Sequence, residues 1–339
     1  MPLTLEPRMT HPPVPRTIVG RPGTASAVRI GLINNMPDAA LQSTEAQFCG
    51  LLTAAAGTTA IEVRLSSFPE LPRGPEALER IAQAYWPIDE LLAEPLDALI
   101  VTGTEPRAAQ LTEEPYWHRF GELLEFARDH TVASIWSCLA AHAAVETLDG
   151  IQRQRLPEKR CGVYEHATLA GHALMAGTAT PFFMPHSRWN ELSPDALREA
   201  GYTLLSWSVI GGADTFVRQR RSLLLFFQGH PEYEGTTLLK EYRRDVGRYL
   251  SGTQPNYPTL PVGYLSPELT RRLEVFRDEA LADPNPKRLE RFPFAAVAAA
   301  HVNTWQPSAL ALYRNGLAVI SEGRNAVRGT QPVSWASNL

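Results

Sequence analysis

Short apolar runs alternate with amphipathic stretches over the first half of the chain. Short, largely apolar runs are typical of strands buried in a parallel sheet, and apolar residues at helical spacing are typical of helices. The predicted strands are Val28–Ile33, 61–65, 96–101 and 132–136. The predicted helices are 41–55, 116–129 and a stretch that begins at Leu139. This alternation predicts an α/β fold with a mostly parallel sheet flanked by helices.

The second half of the chain has a less regular pattern. Its shorter apolar runs favour antiparallel strands, which we predict at 162–166, 181–184, 202–205 and 213–217. The run at 222–227 is strongly apolar and is predicted to return to the central sheet. Helical spacing then predicts helices at 236–250, 267–282 and 294–303.

These patterns divide the chain into four regions. Residues 1–25 are rich in proline and polar residues and cannot bury enough apolar surface to offset their ordering entropy, so we expect a flexible arm. The main α/β domain covers 26–255. A small C-terminal helical extension at 256–321 is predicted to pack on the same domain. Residues 322–339 are predicted to form a flexible tail.

Composition and charge exclude several classes of protein. The chain has 339 residues and a formal net charge of −4, which would attract neither nucleic acid nor an anionic membrane surface. We find no secretory leader and no apolar stretch long enough for a membrane-spanning helix. The three cysteines, at positions 49, 138 and 161, have neither disulfide nor metal-type spacing. We therefore expect a soluble cytoplasmic protein without a metal site.

Cys138 is the first candidate for chemistry. It follows the apolar run at 132–136 and directly precedes the helical stretch that begins at Leu139. A thiol at a strand-to-helix turn lies beside the amides of a helix N-terminus, which favour a reactive thiolate and stabilise an oxyanion. Cys49 lies inside an amphipathic stretch and fits a buried structural side chain instead.

His230 and Glu232 are the partners expected for Cys138. The apolar run at 222–227 leads into the segment Gln228-Gly229-His230-Pro231-Glu232. Ligands and catalytic groups of open α/β sheets gather where the strands end. A cysteine, a histidine and a glutamate in this order suit a nucleophile, its general base and the carboxylate that orients the base.

Several further segments match a known family in the right order. They are 33–37 (INNMP), 44–48 (TEAQF), 102–103 (TG), 116–117 (YW), 136–138 (WSC), 141–144 (AHAA), 158–166 (EKRCGVYEH), 185–188 (PHSR), 229–233 (GHPEY) and 244–246 (RDV). With these motifs the chain resembles the homoserine O-succinyltransferases, or homoserine transacylases, which are relatives of the class I glutamine amidotransferases. The match is strong over 28–255 and continues weakly through 303–305.

The resemblance implies both a fold and a reaction. The fold is flavodoxin-like and resembles the class I glutamine amidotransferases, with a mostly parallel sheet. The reaction is ping-pong acyl transfer, in which Cys138 takes an acyl group from succinyl-CoA or acetyl-CoA and passes it to the hydroxyl of L-homoserine or L-serine. The resemblance implies no bound cofactor besides this co-substrate, and it implies a homodimer.

The resemblance also implies roles for individual residues. Lys159, Ser187 and Arg244 match the positions that contact the amino-acid substrate. The backbone amide of Leu139 is the expected oxyanion donor. We expect a second donor from the loop at 34–36, with Asn35 as the first choice, or from Gly103.

Two positions depart from the family pattern. The family usually carries a lysine soon after the Met-Pro pair, whereas this chain has Asp38-Ala39-Ala40 there, which affects the acyl or CoA pocket. Arg107 aligns where the family has a glycine in succinyl-specific members and a glutamate in acetyl-specific members. A guanidinium there can pair with the distal carboxylate of a succinyl group, so Arg107 favours succinyl-CoA.

Two other functions share parts of this pattern. A glutamine amidotransferase would use the same fold and triad, but such enzymes carry glycine on both sides of the nucleophile, where this chain has Ser137 and Leu139. A binding module that has lost catalysis would have no physical reason to keep Cys138, His230 and Glu232 together. The sequence therefore favours the acyltransferase.

Overall fold

The computed structural model describes residues 3–5, 27–169 and 171–328. Most of the predicted N-terminal arm lies outside the described residues, as does 329–339 of the predicted tail. The strands are β1 (Leu3–Leu5), β2 (Val28–Ile33), β3 (Ile61–Ser66), β4 (Ala98–Val101), β5 (Ala133–Ser137), β6 (Gln154–Thr168), β7 (Phe182–Glu191), β8 (Thr203–Leu204), β9 (Ser206–Ser208), β10 (Gly212–Ala213), β11 (Thr215–Gln219) and β12 (Leu223–Phe227).

Helices separate most of these strands. The α-helices are α1 (Asp38–Ala55), α2 (Pro75–Ala84), α3 (Ile88–Ala93), α4 (Trp117–His130), α5 (Leu139–Asp149), α6 (Pro194–Glu199), α7 (Thr237–Leu250), α8 (Pro267–Ala282), α9 (Phe294–Ala300) and α10 (Gln306–Arg328). Short 3₁₀ helices lie at Leu111–Glu113, Ala173–Met175 and Pro286–Arg291.

The central sheet has the strand order β1-β3-β2-β4-β5-β12-β11-β8 within the described residues. Neighbouring strands are parallel from β1 to β12, and β11 and β8 are antiparallel at one edge. Counted in chain order from β2, the five parallel strands β2, β3, β4, β5 and β12 have the order 2-1-3-4-5, which is that of flavodoxin-like folds. The predicted fold class is confirmed.

The two faces of this sheet bury separate cores. Along β12, Leu223, Leu225 and Phe227 pack on one face, and Leu224 and Phe226 pack on the other, as the two-residue period of a strand requires. Helices α1 and α10 cover the first face, and α4, α5 and α6 cover the second. Because both faces are buried, β12 is apolar throughout, which is why its position was evident from the sequence.

A second sheet has the order β10-β9-β6-β7 and is antiparallel. Its long pair, β6 and β7, replaces the two short strands predicted at 162–166 and 181–184. The sequence underestimates the length of β6 because its first seven residues are largely polar and mostly exposed or half-buried, so the apolar run covers only part of the strand.

Both ends of the chain differ from the predicted arm and tail. Leu3–Leu5 pair with β3 as the edge strand of the central sheet. Helix α10 continues to Arg328, beyond the residue where the flexible tail was predicted to begin. Its apolar side chains Leu312, Leu317 and Ile320 are buried in the core that α1 also covers, so burial stabilises a helix that the sequence analysis did not predict.

No helix within the described residues is long and apolar enough to cross a membrane.

Helix α10 is expected to contribute to the stability of the main core. Leu312 is 1% exposed, so Leu312→Ala should lower the free energy of unfolding by about 2–5 kcal/mol, through lost burial and the cavity left behind. Urea unfolding followed by circular dichroism measures this. Leu281→Ala, at a side chain that is 48% exposed, should cost much less. Equal effects of the two substitutions would show that α10 is not part of the core.

Candidate active site

Cys138 occupies a strained turn between β5 and α5. Its φ of 53° and ψ of −112° make it the only residue other than glycine with a positive φ in the described part of the chain. Such backbone strain persists where the surrounding structure enforces it, and it is common at nucleophiles. The side chain of Cys138 is partly exposed, whereas Cys49 and Cys161 are buried. Burial raises the pKa of Cys49 to about 12 and that of Cys161 to about 11, so neither suits a nucleophile.

The end of β12 brings His230 next to Cys138. Strands β5 and β12 are parallel neighbours with Ser137 opposite Phe227, and the amide of Cys138 donates a 2.7 Å hydrogen bond to the carbonyl oxygen of Phe227. The chain then passes Gly229, where a Cβ atom would lie 2.6–2.8 Å from Met184, Asp214 and the Pro185 carbonyl. Only glycine fits this passage. The amide of His230 then donates to the carbonyl oxygen of Pro185 at 2.8 Å.

His230 lies between Cys138 and Glu232. Its Nδ1 is 2.8 Å from Oε1 of Glu232, and its ring stacks on Tyr233 at 4.2 Å between centroids. Burial by itself lowers the pKa of His230, but the charges of Cys138 and Glu232 and their hydrogen bonds to the ring outweigh it. The pKa therefore lies well above its ordinary value. This arrangement favours the imidazolium form of His230.

The raised pKa of His230 makes the folding stability of the protein depend on pH, through the His230–Glu232 pair. Because folding raises the pKa of His230 above its unfolded value of about 6.5, the pair stabilises the fold at pH values below that number. The stabilisation is lost as the pH rises through the higher, folded pKa.

The predicted oxyanion donors have different environments. Leu139 begins α5, and the first amides of a helix have no acceptor within the helix, so its N–H is available. The amide of Asn35 instead donates a 2.8 Å hydrogen bond to Oγ1 of Thr102. The amide of Asn35 is therefore already hydrogen-bonded within the protein. This corrects the prediction of Asn35 as the second donor to the oxyanion.

Gly103 lies against the turn that carries the nucleophile. A Cβ atom on Gly103 would lie 2.7 Å from Cβ of Leu139 and 3.1 Å from its amide nitrogen. The loop after β4 can approach Leu139 this closely only because Gly103 has no side chain. This contact makes Gly103, the other position considered from the sequence, the better candidate for the second donor.

Lys159, Ser187 and Arg244 meet around two carboxylates of α7. Nζ of Lys159 donates to Oδ2 of Asp245 at 2.9 Å, and Nε of Arg244 donates to Oδ1 of the same residue at 2.9 Å. The hydroxyl of Ser187 donates to Oε2 of Glu241. Burial opposes the charge of Lys159, but the acidic groups beside it keep its pKa above the ordinary value. Three side chains that are far apart in the sequence thus form one charged cluster.

Tyr233 connects this cluster to His230. Its hydroxyl donates to Oε1 of Glu241 at 2.6 Å while its ring stacks on His230. The indole N–H of Trp305 donates to the carbonyl oxygen of Tyr233 at 2.8 Å, so the C-terminal extension supports the same segment. Both aromatic residues lie in segments that resemble the family, but the sequence predicts a role for neither.

A buried polar network lies behind His230 and was also missed. Oδ1 of Asp214 accepts from the amide of Gly229 at 2.6 Å and lies 3.7 Å from Nε2 of His186. Arg188 is buried and donates to Nδ1 of His186 at 3.3 Å. His186 and Arg188 stand in the PHSR segment, so their proximity in sequence to Ser187 was the available signal. This network fixes the backbone that carries His230.

Arg107 is not brought into this cluster. Its side chain is exposed, and its loop is held by Glu114, whose Oε1 accepts from the amides of Arg107 and Ala108 at 2.5 and 2.8 Å. The role of Arg107 in acyl specificity therefore stays a prediction. Among the described residues, no group of three or more His, Cys, Asp and Glu side chains is placed to hold a metal ion.

A cysteine at a strained strand-to-helix turn, with a histidine just beyond the end of the neighbouring parallel strand, is an arrangement found in α/β enzymes that work through a covalent intermediate. The chain belongs to the homoserine O-succinyltransferase family, whose model matches residues 22–324. The predicted family and its acyltransferase class are confirmed.

Similar proteins are known from several bacteria. A homoserine O-succinyltransferase from Rhodopseudomonas palustris is 44% identical over 88% of this chain and 89% of that protein. Another, from Methylorubrum extorquens, is 43% identical over 87% of this chain and 88% of that protein. Among solved structures, a glutamine amidotransferase from Methylobacillus flagellatus is similar, with 14% identity, coverage of 86% of this chain and 94% of that one, and a TM-score of 0.49.

Gly103→Ala tests the contact between the loop after β4 and Leu139. The new Cβ must push the loop away from the Leu139 amide, so kcat for acyl transfer should fall about 10²–10³-fold, the usual cost of one oxyanion donor. Alkylation of Cys138 by iodoacetamide develops no oxyanion and should keep its wild-type rate. Gly121→Ala, where a Cβ meets nothing within 4 Å, is the matched control. A wild-type kcat for Gly103→Ala would exclude this loop from the oxyanion site.

Glu232→Gln tests the cause of the raised pKa of His230. Without the carboxylate the ring loses one of the two groups that raise its pKa, so His230 should titrate at a lower pH than in the wild type. Long-range proton–nitrogen NMR of labelled histidine measures this titration directly. Glu234→Gln removes an exposed carboxylate two positions further along and should leave it unchanged. An unaltered titration of His230 in Glu232→Gln would show that Glu232 does not set its charge.

Proposed function

We propose that this chain transfers a succinyl group from succinyl-CoA to the hydroxyl of L-homoserine, through an acyl thioester on Cys138. The observation that carries the proposal is the strained Cys138 turn beside the buried His230–Glu232 pair. The relatives that are 44% and 43% identical are named homoserine O-succinyltransferases, which supports this donor and this acceptor.

The first half of the reaction forms the acyl-enzyme. The thiolate of Cys138 attacks the carbonyl carbon of the CoA thioester, and the negative charge that develops on oxygen is stabilised by the amides of Leu139 and Gly103. The carbon–sulfur bond to CoA then breaks, and CoA leaves as a thiol with the proton from His230. Exchange of one thioester for another is nearly balanced in energy, so the step requires no additional source of free energy.

The second half of the reaction returns the enzyme to its starting state. His230 removes the proton from the hydroxyl of the acceptor as its oxygen attacks the acyl carbon on Cys138. Glu232 stabilises the resulting imidazolium through Nδ1. The ester leaves, and Cys138 is released as a thiolate beside the imidazolium.

The acceptor is an amino acid with charges of both signs, and the cluster on α7 offers both. Arg244 and Lys159 can bind its carboxylate, and Glu241 or Asp245 can bind its ammonium group. Arg107 is proposed to favour the succinyl donor over the acetyl donor through the distal carboxylate. We further propose that the protein acts in the cytoplasm as a homodimer and supplies methionine biosynthesis.

Mass spectrometry of the intact protein after exposure to acyl-CoA tests the proposal. Succinyl-CoA should add one succinyl group to the wild type, and L-homoserine should then remove it. Cys138→Ala should show no such mass shift, because the nucleophile is gone, while Cys49→Ala should label normally. An adduct that persists in Cys138→Ala would overturn the mechanism. Labelling by acetyl-CoA alone would overturn the assignment of succinyl-CoA as the donor. Release of ammonia from glutamine would favour the alternative function, that of a glutamine amidotransferase.

A further inference from the structure

A basic pocket lies beside the charged cluster, on the outer face of α7. It has a volume of about 340 Å³ and is lined by Lys240, Arg243, Arg244, Leu289 and Phe294. The three cations stand at helical spacing on α7, and the two apolar side chains come from the 3₁₀ helix Pro286–Arg291 and from α9. This volume lies within the range of small-molecule sites.

The positive charge of the pocket is only partly neutralised. The side chain of Arg243 makes no hydrogen bond or ion pair within the described residues. Lys240 has only a long, exposed contact of 3.9 Å with Glu234. No carboxylate lines the pocket, although the chain as a whole carries a net charge of −4. A concentration of cations on an acidic protein selects a ligand with several negative charges.

The side chains that line the pocket also indicate the chemical class of the ligand. Arginine forks and a lysine bind phosphate oxygens, and an aromatic ring beside them offers a face on which a base can stack. A zwitterionic amino acid would bring its ammonium group against three cations and would be repelled. The combination of Arg243, Lys240 and Phe294 therefore fits a phosphorylated nucleoside rather than the acceptor.

Direct contacts connect the pocket to the reacting groups. Arg244 bonds to Asp245, one helical turn after Glu241, and Glu241 accepts a hydrogen bond from Tyr233, which stacks on His230. Further along α7, Arg248 lies 4.0 Å from Glu105 in the loop that begins at Gly103. Helix α7 thus extends from the loop beside Cys138 to the basic pocket.

We propose that this pocket binds the phosphorylated adenosine end of the acyl-CoA donor, with Arg243 and Lys240 holding its phosphates and Phe294 facing its base. The inference rests on the proposed function, since it assigns a place to that reaction's donor. Arg244, at the boundary of the pocket, would face the nucleotide while CoA is bound and the amino acid afterwards.

Arg243→Ala is the test, because it removes one cation that has no partner to lose within the described residues. We expect the KM for succinyl-CoA to rise about tenfold or more, while the KM for L-homoserine stays at the wild-type value. With the succinyl thioester of N-acetylcysteamine, which lacks the nucleotide, the variant should equal the wild type. Arg271→Ala on α8 removes the same charge outside the pocket and should change neither KM.

Binding of adenosine 3′,5′-bisphosphate, measured by calorimetry, is an independent arm. The wild type should bind it, Arg243→Ala should bind it about tenfold more weakly or worse, and inorganic phosphate at the same concentration should not compete. A wild-type KM for succinyl-CoA and equal bisphosphate binding in Arg243→Ala would overturn the inference. An increase in the KM for L-homoserine instead would assign the pocket to the acceptor. Failure of the wild type to transfer succinyl from either succinyl-CoA or the N-acetylcysteamine thioester would overturn the proposed function. Calorimetry would still show whether the pocket binds the bisphosphate.

Discussion

The amide of Cys138 donates its hydrogen bond to the carbonyl oxygen of Phe227 at the point where β5 and β12 end side by side. This pairing ends two distant segments of chain at the same place on the sheet. A shift of one residue in the register would turn the side chains of β12 to the opposite faces and separate Cys138 from His230. The two buried cores fix that register, since Leu225 and Phe226 each fit only one of them.

Two different sets of polar groups surround His230. Behind it, Asp214, His186 and Arg188 form a buried network in which hydrogen bonds satisfy the buried groups. In front of it, Cys138 and Glu232 raise its pKa well above the ordinary value. A histidine whose charged form is stabilised in this way can accept and release a proton on its Cys138 side, and both halves of the proposed acyl transfer require this.

Helix α7 carries two different charged surfaces. On its inner side, Glu241 and Asp245 hold Lys159, Ser187 and Arg244 in one cluster of mixed charge. Its outer side carries cations that face the C-terminal extension. The extension therefore does more than add stability. It supplies Leu289 and Phe294 to the pocket, and Trp305 holds the backbone beside His230.

The sequence by itself determined the alternation of strands and helices along the chain and the residues near the strand ends. Strands buried on both faces are continuous apolar runs, and Cys138 and His230 follow two of them directly, so local pattern was enough. Only the tertiary structure decided which hydrogen bonds and contacts the backbone of the loops around Cys138 makes. The amide of Asn35 is bonded to Thr102, and Gly103 rather than Asn35 lies against Leu139, because hydrogen bonds between loops do not depend on a local periodicity.

The same distinction explains β6, α10 and the cluster on α7. Half-exposed strands and amphipathic terminal helices are stabilised by what packs on them, which no local window of sequence contains. The sequence marked Lys159, Ser187 and Arg244 through family motifs, but the carboxylates that gather them, and the aromatic residue that joins them to His230, depend on contacts between residues far apart in the chain.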